Sequence, residues 1–420
     1  MCAGKWLLIW RIAGGMEMES SFEAVRLNEK VYWVGAIDWA VRDFHGYLTS
    51  RGTTYNAYLI MAEKITLVDT VKRDFADELL ARIASVVEPE RIDYIVLNHA
   101  ELDPSGALPA VIDAGKPEGV YSSPMGKKAL AEHFHWDVEV EAVKTGETLS
   151  LGDRTLAFTE TRMLHWPDSM FSYLVEDRLL FSQDGFGMHL ASSERFADQI
   201  DDSILEYEGA KYFANILTPY SGLVVKLLEK TRQSGLELAM IAPDHGPIWR
   251  RDPGRIVEMY SRYATVTGGK KAVVAYDTMW GSTDVMARAI GDGLAAGGAA
   301  VTLMAMGVSH RSDVATHLLD AGALVIGSPT LNNNMFPSIA DLLTYLGGLR
   351  FPSKVAAAFG SYGWSGEGVK HVSQRLSDMG HEVVGSLRCK YVPDSALLAQ
   401  CRALGAAVAD KLPPDRADES

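Results

Sequence analysis

The 420-residue chain carries 40 Lys and Arg against 54 Asp and Glu, a formal charge of -14, with 47% hydrophobic and 22% charged residues. That length suggests two or three domains with sizeable cores, and the acidic balance argues against a nucleic-acid binder, which needs a basic face for phosphate. The three cysteines, Cys2, Cys389 and Cys401, form no CxxC pair, which argues against an iron–sulfur centre of about four thiolates and for a reducing cytoplasm.

In chain order, the apolar run at 5–10 is far shorter than the roughly 20 residues of a membrane helix. It is also short of the about 7–15 residues of a signal-peptide core. Residues 1–17 read as a disordered extension with Met16 and Met18 as alternative starts, and no membrane span follows. Residues 18–267 read as one domain, mostly of short strands with interspersed helices. The runs 31–34, 58–60 and 65–69 are β-rich and bounded by polar residues or glycine. Apolar positions in 75–87 have helical spacing, and 92–97 is a buried strand ending at Asn98-His99. Trp33 and Trp39 read as core. A hairpin of 171–175 with 178–182 leads to Asp184, and a last strand at 238–242 leads to His245. Strand-rich segments with helices outside predict an αββα sandwich.

The residues that carry chemistry stand at the ends of these elements. His99, Glu101 and Asp103 occur as His-Ala-Glu-Leu-Asp, spaced two apart. His165 sits in His-Trp-Pro, Asp184 in Gln-Asp-Gly and His245 in Pro-Asp-His-Gly-Pro. Three imidazoles and three carboxylates furnish a two-metal site, and that mixture suits iron, manganese or zinc. Ligands at strand ends are expected where loops carry chemistry on a rigid sheet.

The texture changes near residue 268. From there to 412, strands at 271–276, 300–304, 323–326, 355–359 and 382–387 alternate with helices, which predicts a doubly wound parallel sheet. Residues 413–420 should fray. The turn after the first strand, Thr278-Met279-Trp280-Gly281-Ser282-Thr283, sets hydroxyls and a glycine at a helix N-terminus, where amides and the helix dipole favour a phosphate monoester. It has neither the lysine of an NTPase loop nor the GxGxxG of a dinucleotide site. Pro329-Thr330-Leu331-Asn332-Asn333 and Ser361-Tyr362-Gly363-Trp364-Ser365-Gly366 follow the third and fourth strands. They offer amide and aromatic groups to a flat ring in the crevice at the strand ends.

On these three loops the C-terminal half resembles a flavodoxin, which implies FMN. The N-terminal half resembles the metallo-β-lactamase fold, whose hydrolases usually begin their metal site with His-x-His-x-Asp-His. Glu101 stands at the second histidine, and carboxylate in place of imidazole favours iron over zinc. Together, over about 25–410, the chain resembles the flavodiiron proteins.

That resemblance implies that His99, Glu101 and His165 hold one iron and Asp103 and His245 the other, with Asp184 bridging. It implies an oxygen or nitric oxide reductase making water or nitrous oxide, fed through FMN by an external donor such as rubredoxin or reduced deazaflavin F420. It also implies a head-to-tail homodimer or a tetramer. His45 and Tyr212 resemble residues near the substrate pocket that could supply a hydrogen bond or proton; the plainer readings are a loop histidine and a packing tyrosine. One departure stands out: Pro104 follows Asp103 where the family commonly has histidine, leaving the second iron either more weakly held or more open. Two other readings are an electron carrier with an impaired metal site and a metal-dependent hydrolase with an accessory flavodoxin domain.

Overall fold

Two facing sheets form the N-terminal half of the computed structural model, which describes residues 22–413. The expectations for residues 1–17 and for all but the first residue of the frayed tail lie outside the described residues. The first sheet runs Val25–Arg26, Val31–Trp33, Tyr58–Ile60, Thr66–Val68, Tyr94–Leu97, Gly119–Ser122 and Val140–Ala142. Its last four strands are parallel neighbours. The second sheet orders Thr148–Ser150, Thr155–Glu160, Met170–Leu174, Leu179–Gln183 and Met240–Pro243, antiparallel except for the last pair.

Period-two alternation explains the layer between them. Phe158, Met170, Leu174 and Phe181 point inward from the second sheet and meet Trp33, Tyr58, Ile60 and Val96 of the first. Burying each such side chain contributes about 1.5–3 kcal/mol. On the outer faces lie amphipathic helices. Ala76–Ala84, Leu108–Gly115 and Pro124–Phe134 press Leu79, Ile83, Val111 and Leu130 onto the first sheet. Asp202–Tyr212, Ser221–Ser234 and Pro253–Thr265 cover the second. The architecture is therefore helix, sheet, sheet, helix. Trp33 belongs to the core, but Trp39 does not: it is 56% exposed. Asp38 Oδ1 accepts from the amides of Ala40 and Val41 at 3.0 Å each, and that turn throws the Trp39 side chain outward.

The C-terminal half has one parallel sheet in the order Ala300–Ala305, Gly269–Tyr276, Ala321–Gly327, Val355–Tyr362 and Glu382–Lys390. Counted along the chain this is order 2-1-3-4-5, the flavodoxin-like doubly wound pattern. Helices Ser282–Ala296 and Ser395–Ala409 cover one face. Arg311–Leu318, Pro337–Leu349 and Gly368–Asp378 cover the other. That second face shares one apolar cluster with the helices of the N-terminal half: Leu205, Tyr212 and Phe213 are continuous with Val314, Leu318 and Leu342. The chain crosses over at Gly268, whose φ of +109° and a would-be Cβ 2.6 Å from Ala321 O leave room only for glycine.

Candidate functional site

Four loops at one edge of the sandwich bring six donors together. His99 leaves strand Tyr94–Leu97, and Glu101 and Asp103 lead into the short helix Leu102–Ser105. His165 lies between Thr155–Glu160 and Met170–Leu174, Asp184 follows Leu179–Gln183, and His245 follows Met240–Pro243. His99 Nε2 is 3.2 Å from Glu101 Oε2 and 3.3 Å from Asp184 Oδ2. His165 Nε2 is 3.4 Å and 3.1 Å from the same two oxygens. These four residues offer donor atoms within 4.8 Å of one another. His245 Nε2 lies 3.0 Å from Asp103 Oδ2 and 3.3 Å from Asp184 Oδ1. Asp184 thus turns one oxygen to each donor set.

The imidazoles are aimed from behind. Asp168 Oδ2 accepts from His99 Nδ1 at 3.0 Å and from the Ala100 amide at 2.6 Å. Thr54 O accepts from His245 Nδ1 at 2.7 Å. Both rings are therefore left with Nε2 facing inward, the arrangement that orients a metal-binding histidine. Burial alone would push Glu101 up, but the hydrogen bonds from His165 and His99 outweigh it and hold Glu101 at about 2. Burial likewise disfavours a charge on His165, yet its hydrogen bonds to Asp184 and Glu101 raise it to about 9. The cluster holds protons where a cation would replace them. Asp103 Oδ1 is buried with no hydrogen-bond partner among the described residues. Buried acceptors of this kind, unpaired and beside three imidazoles, fit metal ions of mixed nitrogen and oxygen preference.

A cavity of about 230 Å³ opens onto this cluster, lined among others by Phe44, His45, Tyr212 and Tyr345. His45 stands at the mouth, its side chain 75% exposed and its Nε2 3.5 Å from Glu101 Oε1. Tyr212, at the end of helix Asp202–Tyr212, is buried, and burial raises its hydroxyl well above the usual phenol range, so it keeps its proton. Pro104 is buried in the short helix after Asp103, and its carbonyl accepts from the Thr70 amide at 2.8 Å. A larger cavity of about 950 Å³, between the second sheet and helices Ser221–Ser234 and Pro253–Thr265, contains none of the clustered donors.

Two residues of this site escape sequence reasoning. Asp168 was within reach, three residues past His165 in the same loop. His189 was not, since no motif surrounds it. Thr53 Oγ1 lies 2.8 Å from His189 Nδ1 and 3.2 Å from Thr54 O. His189 Nε2 is buried without a partner among the described residues, its ring 4.9 Å from that of His245 and lining the same cavity.

In the C-terminal half the three loops meet at the carboxyl ends of the strands around a cleft of about 560 Å³. Met279, Trp280, Ser282, Thr330, Leu331, Asn332 and Asn333 line it, as do Ser361, Tyr362, Gly363, Trp364 and Ser365. The other five predicted residues do not line it. Thr278 Oγ1 accepts from the Gly281 amide at 3.1 Å, shaping the turn. Thr283 is buried with its hydroxyl 2.9 Å from Ser361 Oγ. Pro329 and Gly366 flank their loops without lining the cleft. Tyr391 and Val392, after the last strand, complete the wall; their position at a fifth strand end was the available signal.

A β-lactamase-type metal fold carrying imidazole and carboxylate donors, fused to a flavodoxin-type sheet, defines a class of oxidoreductase that pairs a metal site with a flavin. The family described as ODP family beta lactamase matches residues 53–246, and flavodoxin matches 274–405. The chain is 46% identical over 395 residues to a nitric oxide reductase of Moorella thermoacetica, covering 93% of this chain and 99% of the relative. It is 45% identical to a rubredoxin-oxygen oxidoreductase of Megalodesulfovibrio gigas, covering 93% and 98%. The solved rubredoxin oxygen:oxidoreductase from Desulfovibrio gigas matches with a TM-score of 0.90 at 45% identity, over 92% of this chain and 98% of that one. The flavodiiron protein from Giardia intestinalis gives 0.88 at 37% identity, over 92% and 96%. The chain belongs to the flavodiiron proteins and is an oxidoreductase of that type. Among the described residues no helix is long and apolar enough to cross a membrane.

Proposed function

We propose that this oxidoreductase reduces nitric oxide to nitrous oxide or dioxygen to water at a diiron centre, with electrons arriving from an external donor through FMN. The observation that carries the reading is Asp184, whose two oxygens face separate donor sets at 3.1–3.3 Å. His99, Glu101 and His165 would hold one iron, Asp103 and His245 the other, and Asp184 both. When bound, the irons supply electrons and open positions for a diatomic gas, and the flavin supplies a two-electron store. The chain's own residues do the rest. The cavity of about 230 Å³ admits only a small ligand. Buried Tyr212, held neutral, presents a hydroxyl proton to it, and His45 at the mouth can relay one from solvent.

The three strand-end loops would hold the FMN phosphate at the turn 278–283 and its ring between the aromatic walls. The flavin cleft and the metal cavity have no lining residue in common. A head-to-tail dimer, alone or paired into a tetramer, would set the flavin of one subunit beside the irons of the other. Rubredoxin or reduced deazaflavin F420 fits as donor to the flavin.

The test is anaerobic stopped flow on reduced, iron-loaded protein mixed separately with nitric oxide and oxygen, following flavin reoxidation. Fast reoxidation by either gas supports the reading and names the preferred substrate. Reoxidation by both gases no faster than free flavin would sink it, and would favour the carrier reading with Pro104 as the lesion.

A further inference from the structure

The roof of the metal cavity is fastened by the other half of the chain. His45 and Gly46 form the tip of a hairpin between Asp43–Phe44 and Tyr47–Leu48, with φ of 56° and 82°. A positive φ is uncommon for any residue but glycine, and such a tip persists where its surroundings hold it. Within the hairpin, Asp43 Oδ1 accepts from the Gly46 amide at 2.7 Å. From the flavodoxin-type half, Arg311 Nε donates to Gly46 O at 3.2 Å, while its Nη1 lies 2.8 Å from both carboxylate oxygens of Asp341. Ser312 Oγ accepts from the Leu48 amide at 3.2 Å. The Arg311 guanidinium also lies 5.3 Å from the ring centre of Tyr345, which lines the cavity. A Cβ on Gly46 would stand 2.6 Å from Arg311 Nη2, so the arginine packs directly on the tip.

We propose that Arg311 is a positioning residue that holds His45 against Glu101, so that the flavodoxin-type half of each chain closes the metal cavity of that same chain. The proposal rests on the reading of that cavity as the reaction site. Its chemistry is that of a planar fork: guanidinium serves a carbonyl on one edge and a carboxylate on the other, which an ammonium cannot do in the same geometry. The flavodoxin-type half would then shape the metal cavity of its own chain while its flavin feeds that of the partner subunit.

The experiment compares full-length, FMN- and iron-loaded wild type with Arg311→Ala, Arg311→Lys, His45→Ala and the Arg311→Ala/His45→Ala double variant. Amide hydrogen exchange is read across residues 43–48, together with kcat and KM for the gas that wild type prefers. Arg311→Ala should speed exchange at Gly46 and Leu48 at least about tenfold while the sheet strands stay as protected as in wild type. It should lower kcat about tenfold at nearly constant KM, as a displaced group does, with Arg311→Lys recovering only part. In the His45→Ala background Arg311→Ala should cost nothing further, because the two act as one unit. Unchanged exchange at the tip overturns the clamp. Faster exchange with unchanged kcat, or losses that multiply in the double variant, overturns the positioning role. Exchange needs no turnover, so it decides the clamp even where wild type reduces neither gas, a result that would instead sink the proposed gas reduction.

Discussion

In the β-lactamase-type half the chemical groups are buried and braced, whereas in the flavodoxin-type half they stand open. His99 is fully buried and Asp184 and His245 are 2% exposed, with Asp168 and Thr54 fixing the rings from behind. At the strand-end cleft Trp280 is 94% and Trp364 79% exposed. The difference is physical. Charged donors taken out of water must find partners within the chain or on a cation. An aromatic rim can remain solvated until a ring or another surface covers it. The first site is therefore preorganised by the fold, and the second is finished by what binds there.

The largest test of that contrast is Asp184→Ala, which removes the oxygen from both donor sets at once. It should cost more than about 100-fold in gas reduction, more than loss of an outer partner costs, and iron per chain should fall with it. Retention of full iron by elemental analysis would break the bridging reading. Next comes Asp168→Asn, which removes no metal-facing atom but takes away the charge that orients His99 from behind. It should weaken metal binding about 10–100-fold in a chelator competition; an unchanged affinity would mean that burial alone suffices to aim the ring.

The proton count gives a comparable effect. His165, raised from 6.5 to about 9, carries a proton at neutral pH that a metal must displace. Through His165 alone, iron(II) affinity of the metal-free protein should rise up to about tenfold per pH unit from pH 7 towards 9, and His99 and His245, also raised well above the usual histidine range by their carboxylate partners, steepen that rise. The sign for stability is opposite: His165 stabilises the metal-free fold fully below 6.5 and loses that contribution as pH rises through about 9. Urea unfolding of metal-free protein across that window checks it.

Smaller effects belong to the open site. Thr283→Val removes the hydroxyl paired with Ser361 and should weaken FMN about tenfold if that pair faces the phosphate, read by flavin fluorescence. Trp364→Ala should cost only about two- to tenfold, the range of one aromatic contact. A loss as large as that of Asp168→Asn would show that the rim is as preorganised as the metal site.

Much of this was legible in the sequence, and for identifiable reasons. The continuous apolar run that opens Leu179–Gln183 marks a strand because a short apolar run bounded by turn residues fits a strand buried on both faces. Strand–helix alternation after 268 marks a parallel sheet because parallel neighbours need a crossover. The six clustered donors were readable as residue types in short motifs at strand ends, and twelve of the seventeen residues named for the flavin line the strand-end cleft. Trp39 misled because hydrophobic type does not report the turn that Asp38 imposes.

The amino-acid sequence by itself determined the two sheet types, their order along the chain and the residue types able to bind metal and flavin, since these follow from local periodicity and side-chain chemistry. Only the tertiary structure decided which groups meet. His245 is braced by Thr54, 191 positions away, His189 by Thr53, 136 away, and Gly46 by Arg311, 265 away. Such pairings leave no local periodicity, because sheet order and the packing of one half on the other, not distance along the chain, set which loops share an edge.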